Sequence, residues 1–307
     1  MMERKKFELL TEDKIISTWS NKQDIVLSII CVTFNHAKFV EEAIRGFLIQ
    51  KTDFAFEVII HDDASTDKTV DIIKRYQSLY PRIIKPIFQT ENQYSKGNFR
   101  PVLYASTFAK GEFIARCEGD DYWVDPLKII TQVEFLQQNK EYVITYTDSI
   151  AIDNNGLTGV NYGGATKDLS KSDLKKAAPI YTLTSCYRNV LKVLPPEIML
   201  APIGDMFYWS LLGEYGKGKF LVQIEPSIYR VHDGGILSNK PIEKKAAMLA
   251  KTLLLLYMYH SGKNDEEITR YYRLEVIARL LYYPYKNLIK QKQRFFMKVM
   301  LKVFRFI

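Results

Sequence analysis

Three features of the 307-residue chain predict a doubly wound α/β fold. Short apolar, β-branched runs alternate with stretches of helical pattern from about residue 25 to residue 140. The runs are continuously apolar, as expected of parallel strands buried on both faces. Acidic clusters follow two of the runs directly, and in such sheets ligands gather at the carboxyl ends of the strands.

The elements follow in order. Residues 1–24 are polar and mixed and read as a lead-in. Val26–Phe34 (VLSIICVTF) is the first buried strand, and Lys38–Gln50 the first helix. Phe56–His61 is the second strand; the helix after it, Lys68–Leu79, is stopped by Pro81. Ile83–Gln89 is a third strand, and a polar loop then leads to a helix ending at Ala109. Phe113–Cys117 is a fourth strand that runs into Glu118-Gly119-Asp120-Asp121. Pro126 suits the first turn of a helix reaching Asn139. Beyond it the pattern loosens. Strands are predicted at Tyr142–Ile152, Thr182–Val190 and Phe220–Ile224, a helix at Asp205–Glu214, and a loop at Tyr229–Gly235. From Pro241 onward the pattern is helical. The expected division is therefore a lead-in (1–24), a catalytic domain (25–240) and a helical basic extension (241–307).

Composition narrows the function. Hydrophobic residues at 47% and charged residues at 25% are enough for a full core. Cys31, Cys117 and Cys186 are far apart and form no CxxC pair, so neither a disulfide framework nor a zinc ribbon is supported. The opening Met-Met-Glu-Arg-Lys-Lys is charged and no apolar core follows, so no signal segment is expected. No apolar run approaches the roughly 20 residues of a membrane span. A cytoplasmic protein is the expectation. The net charge is +8, and residues 276–307 hold eight Lys or Arg and no acids, so residues 1–275 carry no net charge. A broad nucleic-acid-binding face is disfavoured there.

Chemistry concentrates at the strand ends. Three carboxylates in the four residues Glu118 to Asp121 repel one another, and a fold keeps such a cluster where a cation or hydrogen-bond donors offset it. Oxygen ligands of this kind suit Mg²⁺ or Mn²⁺, which also bind substrate phosphates. The bland alternative is a solvated turn capping the next helix. Asp62 and Asp63 form the second acidic pair. They can cap the helix near Lys68 or accept from a nucleobase ring N–H. Gly213–Lys219 (GEYGKGK) has the spacing of a phosphate-binding loop, but Phe220 stands where Ser or Thr must hold Mg²⁺.

Val32-Thr33-Phe34-Asn35, Asp62 to Asp67, Glu118 to Trp123 and Tyr229-Arg230-Val231-His232 together resemble the family 2 glycosyltransferases of the GT-A fold, in order and spacing, over residues 25–237. The resemblance implies a mostly parallel GT-A sheet. It also implies an inverting transfer from a nucleotide-diphosphate sugar, expected to be a UDP-sugar, to an acceptor hydroxyl, in bacterial surface-polysaccharide synthesis. Thr33, Phe34 and Asn35 would line the donor pocket, Phe34 stacking on the base. Asp62 or Asp63 would bind the base edge. Glu118 and Asp120 correspond to the DxD motif, with Asp120 the metal ligand and Asp121 among the donor contacts. Glu118 departs from the motif's first Asp. Asp205 sits where the family places its catalytic base, although Gly204 precedes it where an acidic or Thr residue is usual. His232 is a candidate metal ligand or diphosphate donor, with Arg230 beside it on the donor.

Residues 286–307 interleave Phe, Met and Val with Lys and Arg, as in an interfacial anchor. Peripheral contact with the inner membrane surface would suit a saccharide acceptor carried on a polyprenyl lipid. The same face could simply be solvated. The competing functions are a nucleotidyltransferase acting on a sugar phosphate, and a non-catalytic sugar- or lipid-binding subunit. The first needs a Gly-rich loop after the opening strand, where Asn35-His36-Ala37 stands instead.

Overall fold

A computed structural model describes residues 8–97, 99–160, 163–235 and 240–289. Its spine is the expected alternation: β1 (Ile25–Thr33), α2 (Val40–Leu48), β2 (Ala55–Asp62), α3 (Thr69–Leu79), β3 (Ile84–Phe88), α4 (Pro101–Ser106), β4 (Phe113–Arg116) and α5 (Lys128–Gln138). A short helix, α1 (Glu12–Ser17), precedes it. The rest of the chain supplies β5 (Tyr142–Tyr146), β6 (Ser149–Asp153), β7 (Gly156–Leu157), α6 (Lys171–Lys175), β8 (Cys186–Arg188), α7 (Glu197–Leu200), α8 (Gly204–Leu212), β9 (Lys217–Phe220) and β10 (Ser227–Arg230). Two long helices follow, α9 (Ile242–Ser261) and α10 (Glu266–Ile289).

Seven strands form one sheet in the order β3-β2-β1-β4-β8-β5-β9. Only β8 runs against its neighbours, so the sheet is mostly parallel. The apolar runs of β1 and β2 are buried on both faces, which explains why they show no polar alternation. Leu27, Ile29 and Cys31 pack on one side with Val40, Phe47, Ile73 and Val133 of α2, α3 and α5. Ile30, Ile59 and Ile114 pack on the other with Leu103, Leu174, Phe207, Leu256 and Tyr272, from α4, α6, α8, α9 and α10. Helices thus cover both faces of the sheet.

Four expectations change in the second half. Tyr142–Ile152 is two strands, because the chain turns at Thr147-Asp148, where the Asp148 side chain accepts from Ser149 N at 2.8 Å. It then leaves the large sheet: β6 joins a small one ordered β10-β6-β7. Thr182–Val190 begins as a 3-10 turn over Thr182–Thr184. The Thr184 and Ser185 hydroxyls donate to Tyr181 O and Thr182 O at 2.8 Å each and compete with strand pairing. The strand expected at Phe220–Ile224 occupies Lys217–Phe220 instead, pairing with β5. The predicted Tyr229–Gly235 loop opens inside β10, which pairs with β6.

The polar opening also differs from a plain lead-in. Thr11 caps α1, and Ile15, Ile16 and Trp19 join the core, Trp19 meeting Phe56 edge-on at 5.6 Å. Glu12 accepts from the backbone of Arg82 and Ile83, anchoring α1 beside β3. At the other end, residues 290–307 and the side chains of 280–289 lie outside the description, and with them nearly all of the proposed anchor. Among the described residues no helix is long and apolar enough to cross a membrane.

Candidate active site

Strands β1, β2 and β4 end side by side, and the predicted site residues gather there. Thr33 pairs in register with Asp62, and its Oγ1 donates to Asp62 Oδ1 at 2.9 Å. Asp62 also accepts from Ser65 N at 2.9 Å. Asp63 accepts from Gln93 N and Tyr94 N, both at 2.9 Å. Asn35 adopts φ 56°, donates from its backbone to Ser65 Oγ, and accepts from Thr66 N on Oδ1. These contacts tie the loops after β1 and β2 to one another, and the latter to residues 92–94. Phe34 differs: the residue is 42% exposed.

The turn after β4 directs its three carboxylates apart. Cys117 N and Gly119 N donate to Ile30 O and Val32 O, extending the β1–β4 pairing into the turn. A Cβ on Gly119 would lie 2.4 Å from Thr33 Cγ2 and 3.1 Å from His36 Nδ1, so only glycine lets the turn approach β1 this closely. Asp120 Oδ2 lies 2.9 Å from His232 Nε2 and 3.7 Å from His36 Nε2. Burial works to raise the Asp120 carboxyl, but the His232 hydrogen bond and the charge of the two imidazoles outweigh it and hold the carboxyl below its usual range. Burial lowers His36, and its Nδ1 is buried without a partner. Asp121 points inward and accepts from Arg230 N at 2.8 Å. Burial, then the charges of Asp120 and Glu118, push it well above the carboxylate range.

Glu118 turns to the opposite side. Its Oε2 accepts from Thr182 Oγ1 at 2.7 Å, and burial pushes its carboxyl up to about 7. The charges of Asp120 and, more weakly, of Asp205 in the first turn of α8 add to that rise. Burial also raises Asp205. A cavity of about 130 Å³ opens beside Asp205 between Tyr181, Met206 and Trp209.

Arg230 is a brace in this structure. Its Nη1 donates to Asp120 O at 2.6 Å, its Nη2 pairs with Glu42, and its guanidinium stacks on Tyr122 at 4.5 Å and Phe39 at 5.1 Å. Tyr122 and Ile228 exchange backbone hydrogen bonds, so β10 is pinned to the turn and carries His232 to Asp120. Sequence reasoning missed His36, Glu42, Thr182 and Arg116. Arg116 had a signal, a charge inside the otherwise apolar strand FIAR. Thr182 had none.

A doubly wound sheet with a divided acidic turn at the carboxyl ends of its strands is the architecture of a GT-A glycosyltransferase. The glycosyl transferase family 2 model matches residues 28–188, from β1 to the end of β8 and just over half the chain, and the chain belongs to that family. It is 35% identical over 255 residues to the uncharacterized protein Rv1520 of Mycobacterium tuberculosis, spanning 79% of this chain and 71% of that protein. It is 28% identical over 225 residues to the Escherichia coli UDP-Glc:alpha-D-GlcNAc-diphosphoundecaprenol beta-1,3-glucosyltransferase WfaP, spanning 70% of this chain and 81% of that protein. Among solved structures, residues 1–349 of S. aureus TarS in complex with UDP superpose with a TM-score of 0.60 at 19% identity, over 89% of this chain and 77% of that one.

Proposed function

We propose that this glycosyltransferase moves a sugar, with inversion, from a UDP-sugar to a hydroxyl of a polyprenyl-linked saccharide acceptor in surface-polysaccharide synthesis. The observation that carries this reading is the divided turn: Asp120 Oδ2 faces two imidazoles, Glu118 Oε2 accepts instead from Thr182, and Asp205 opens α8 beside a small cavity. One carboxylate is set for the donor, and a carboxylate at a helix start is set for the acceptor. The name of WfaP supports the donor and acceptor classes, and the UDP complex of TarS supports the nucleotide.

Asp120 and His232 are the side chains that would hold Mn²⁺ or Mg²⁺. No group of three or more His, Cys, Asp or Glu side chains is arranged around a metal position among the described residues. Two protein ligands still fit, because these cations usually retain waters and bind substrate phosphates. Such a cation offsets negative charge on the departing diphosphate. Phe34 stacks on the base, and the Asp62 and Asp63 networks hold the pocket floor. Asp205 takes the proton of the acceptor hydroxyl. The acceptor oxygen bonds to the anomeric carbon, and the bond to the diphosphate oxygen breaks with its electron pair on the diphosphate.

A panel of nucleotide sugars, read by thermal shift with and without Mn²⁺, tests the donor. UDP-sugars should stabilise the chain, and transfer to a polyprenyl-diphosphate saccharide should then give a glycoside of inverted anomeric configuration. Stabilisation by another nucleotide alone would refute the UDP assignment, and retained configuration would refute inversion. Liposome sedimentation with and without residues 286–307 tests the membrane contact, and equal soluble fractions would sink it.

A further inference from the structure

Strand β4 carries a buried cation that the transfer chemistry above does not use. Side chains alternate along a strand, so Ile114 and Arg116 share a face of β4, which ends at Arg116. The Arg116 guanidinium on that face lies 4.1 Å from the ring centre of Tyr208, 5.1 Å from Tyr187 and 5.4 Å from Trp209. Tyr208 and Trp209 stand three and four residues after Asp205 on α8, so the rings that hold the guanidinium are one helical turn from Asp205. Arg116 is 2% exposed, and its Nε and Nη2 have no hydrogen-bond partner. The Tyr187 hydroxyl beside it is likewise unpartnered.

The three rings give the guanidinium cation–π partners. An apolar side chain of similar length would fill the same space without a desolvated charge, so filling it does not by itself require arginine. Electrostatics gives a reason. Burial drives Asp205 toward the neutral acid, and the Arg116 charge opposes that drive. Glu118 and Asp205 repel one another, and Arg116 attracts both. The groups whose charge acts on Asp205 are Arg116 of β4 and Glu118 of the turn after it, and Tyr181 lines the small cavity with it. The Met206 backbone N–H donates to its carboxylate. Of these, Arg116 is the cation.

We infer that Arg116 is a positioning residue for the transfer: a fixed positive charge beneath the start of α8 that keeps Asp205 anionic and in place to receive the acceptor's proton. The inference rests on Asp205 as the base. The three ring centres lie within 5.4 Å of the guanidinium carbon, and its charge does not titrate in any working range. It thereby favours the Asp205 anion against the burial that raises this carboxyl.

The test uses the full chain with Arg116→Met and Arg116→Lys. Arg116→Met should unfold at the wild-type temperature or above it, since an apolar residue that fills the space beneath the rings replaces a desolvated charge. Its kcat should fall about 100-fold while the donor KM stays within about twofold, and Arg116→Lys should recover at least about a tenth of wild-type kcat. The ¹³C signal of the Asp205 carboxyl, assigned with Asp205→Asn, reports its ionisation without any substrate. Its midpoint should rise by about one unit or more in Arg116→Met. An unmoved midpoint would overturn the inference, as would wild-type kcat. A lower unfolding temperature in Arg116→Met, with Arg116→Lys equally inactive, would make Arg116 a structural residue and overturn it too. If no donor gives product, the transferase reading falls, and the ¹³C titration still decides on Arg116.

Discussion

Asp120 and Glu118 stand two residues apart in one turn, yet their partners differ in kind. Asp120 meets imidazoles at 2.9 and 3.7 Å, and a histidine can release its hydrogen bond or its proton. Glu118 meets a threonine hydroxyl, and its charge interacts with those of Asp205 and of a guanidinium that cannot lose its charge. Partners that can let go suit a place where a ligand arrives and leaves. A constant charge suits a place where one proton must be accepted each cycle. On the function proposed above, the donor would meet one end of the turn and the acceptor the other.

The largest effect that would break this division is at Asp120. Asp120→Ala should leave no detectable transfer and no response to Mn²⁺, read by product formation across a metal titration. Next comes Asp205→Asn, expected to lower kcat by about 10²- to 10⁴-fold while UDP-sugar binding by calorimetry stays unchanged. Wild-type turnover in that variant would remove the acceptor end from the comparison.

A buried histidine outside the turn sharpens the contrast, because it has no functional partner to trade. His260 is 1% exposed, lies 2.8 Å from Ser210 Oγ and stacks on Tyr272 at 5.4 Å. Burial lowers its pKa to about 4. The unfolded chain takes up this proton first, near pH 6.5, so the contribution is present above that pH and is lost as pH falls toward 4. The loss should be about 3 kcal/mol, read from urea unfolding between pH 7.5 and 4.5. His260→Gln should flatten that slope without altering donor binding, and an unchanged slope would show that another group is responsible.

Smaller effects belong to the donor end alone. His232→Gln should raise the Mn²⁺ or donor concentration needed for half-maximal rate by about 10- to 100-fold, with kcat less affected. Phe34→Ala should weaken UDP binding by roughly tenfold, the value of one lost stacking contact. If Phe34→Ala bound UDP as the wild type does, the base would lie elsewhere in the pocket.

The first half of the fold was legible because β1, β2 and β4 are buried on both faces, and a continuous apolar run states that directly. From Thr147 onward the strands are short, pair in a second sheet or run antiparallel, and local hydroxyl bonds compete with pairing. The run Tyr142–Ile152 looks uniform by composition, and only its partners show where it divides. In the site, Glu118, Asp120, Asp121 and Asp205 could all be named from motif and position. Their roles relative to one another could not, since three adjacent carboxylates read as one cluster until the turn sends them three ways.

Sequence alone determined the doubly wound core, the acidic residues at its strand ends and the family they mark, because burial and strand-end chemistry are local in the chain. Tertiary structure decided which acid faces which partner. His232 reaches Asp120 across 112 residues, Glu42 pairs with Arg230 across 188, and Thr182 reaches Glu118 across 64. A charge acts on what is near it in space, and no local pattern records that distance.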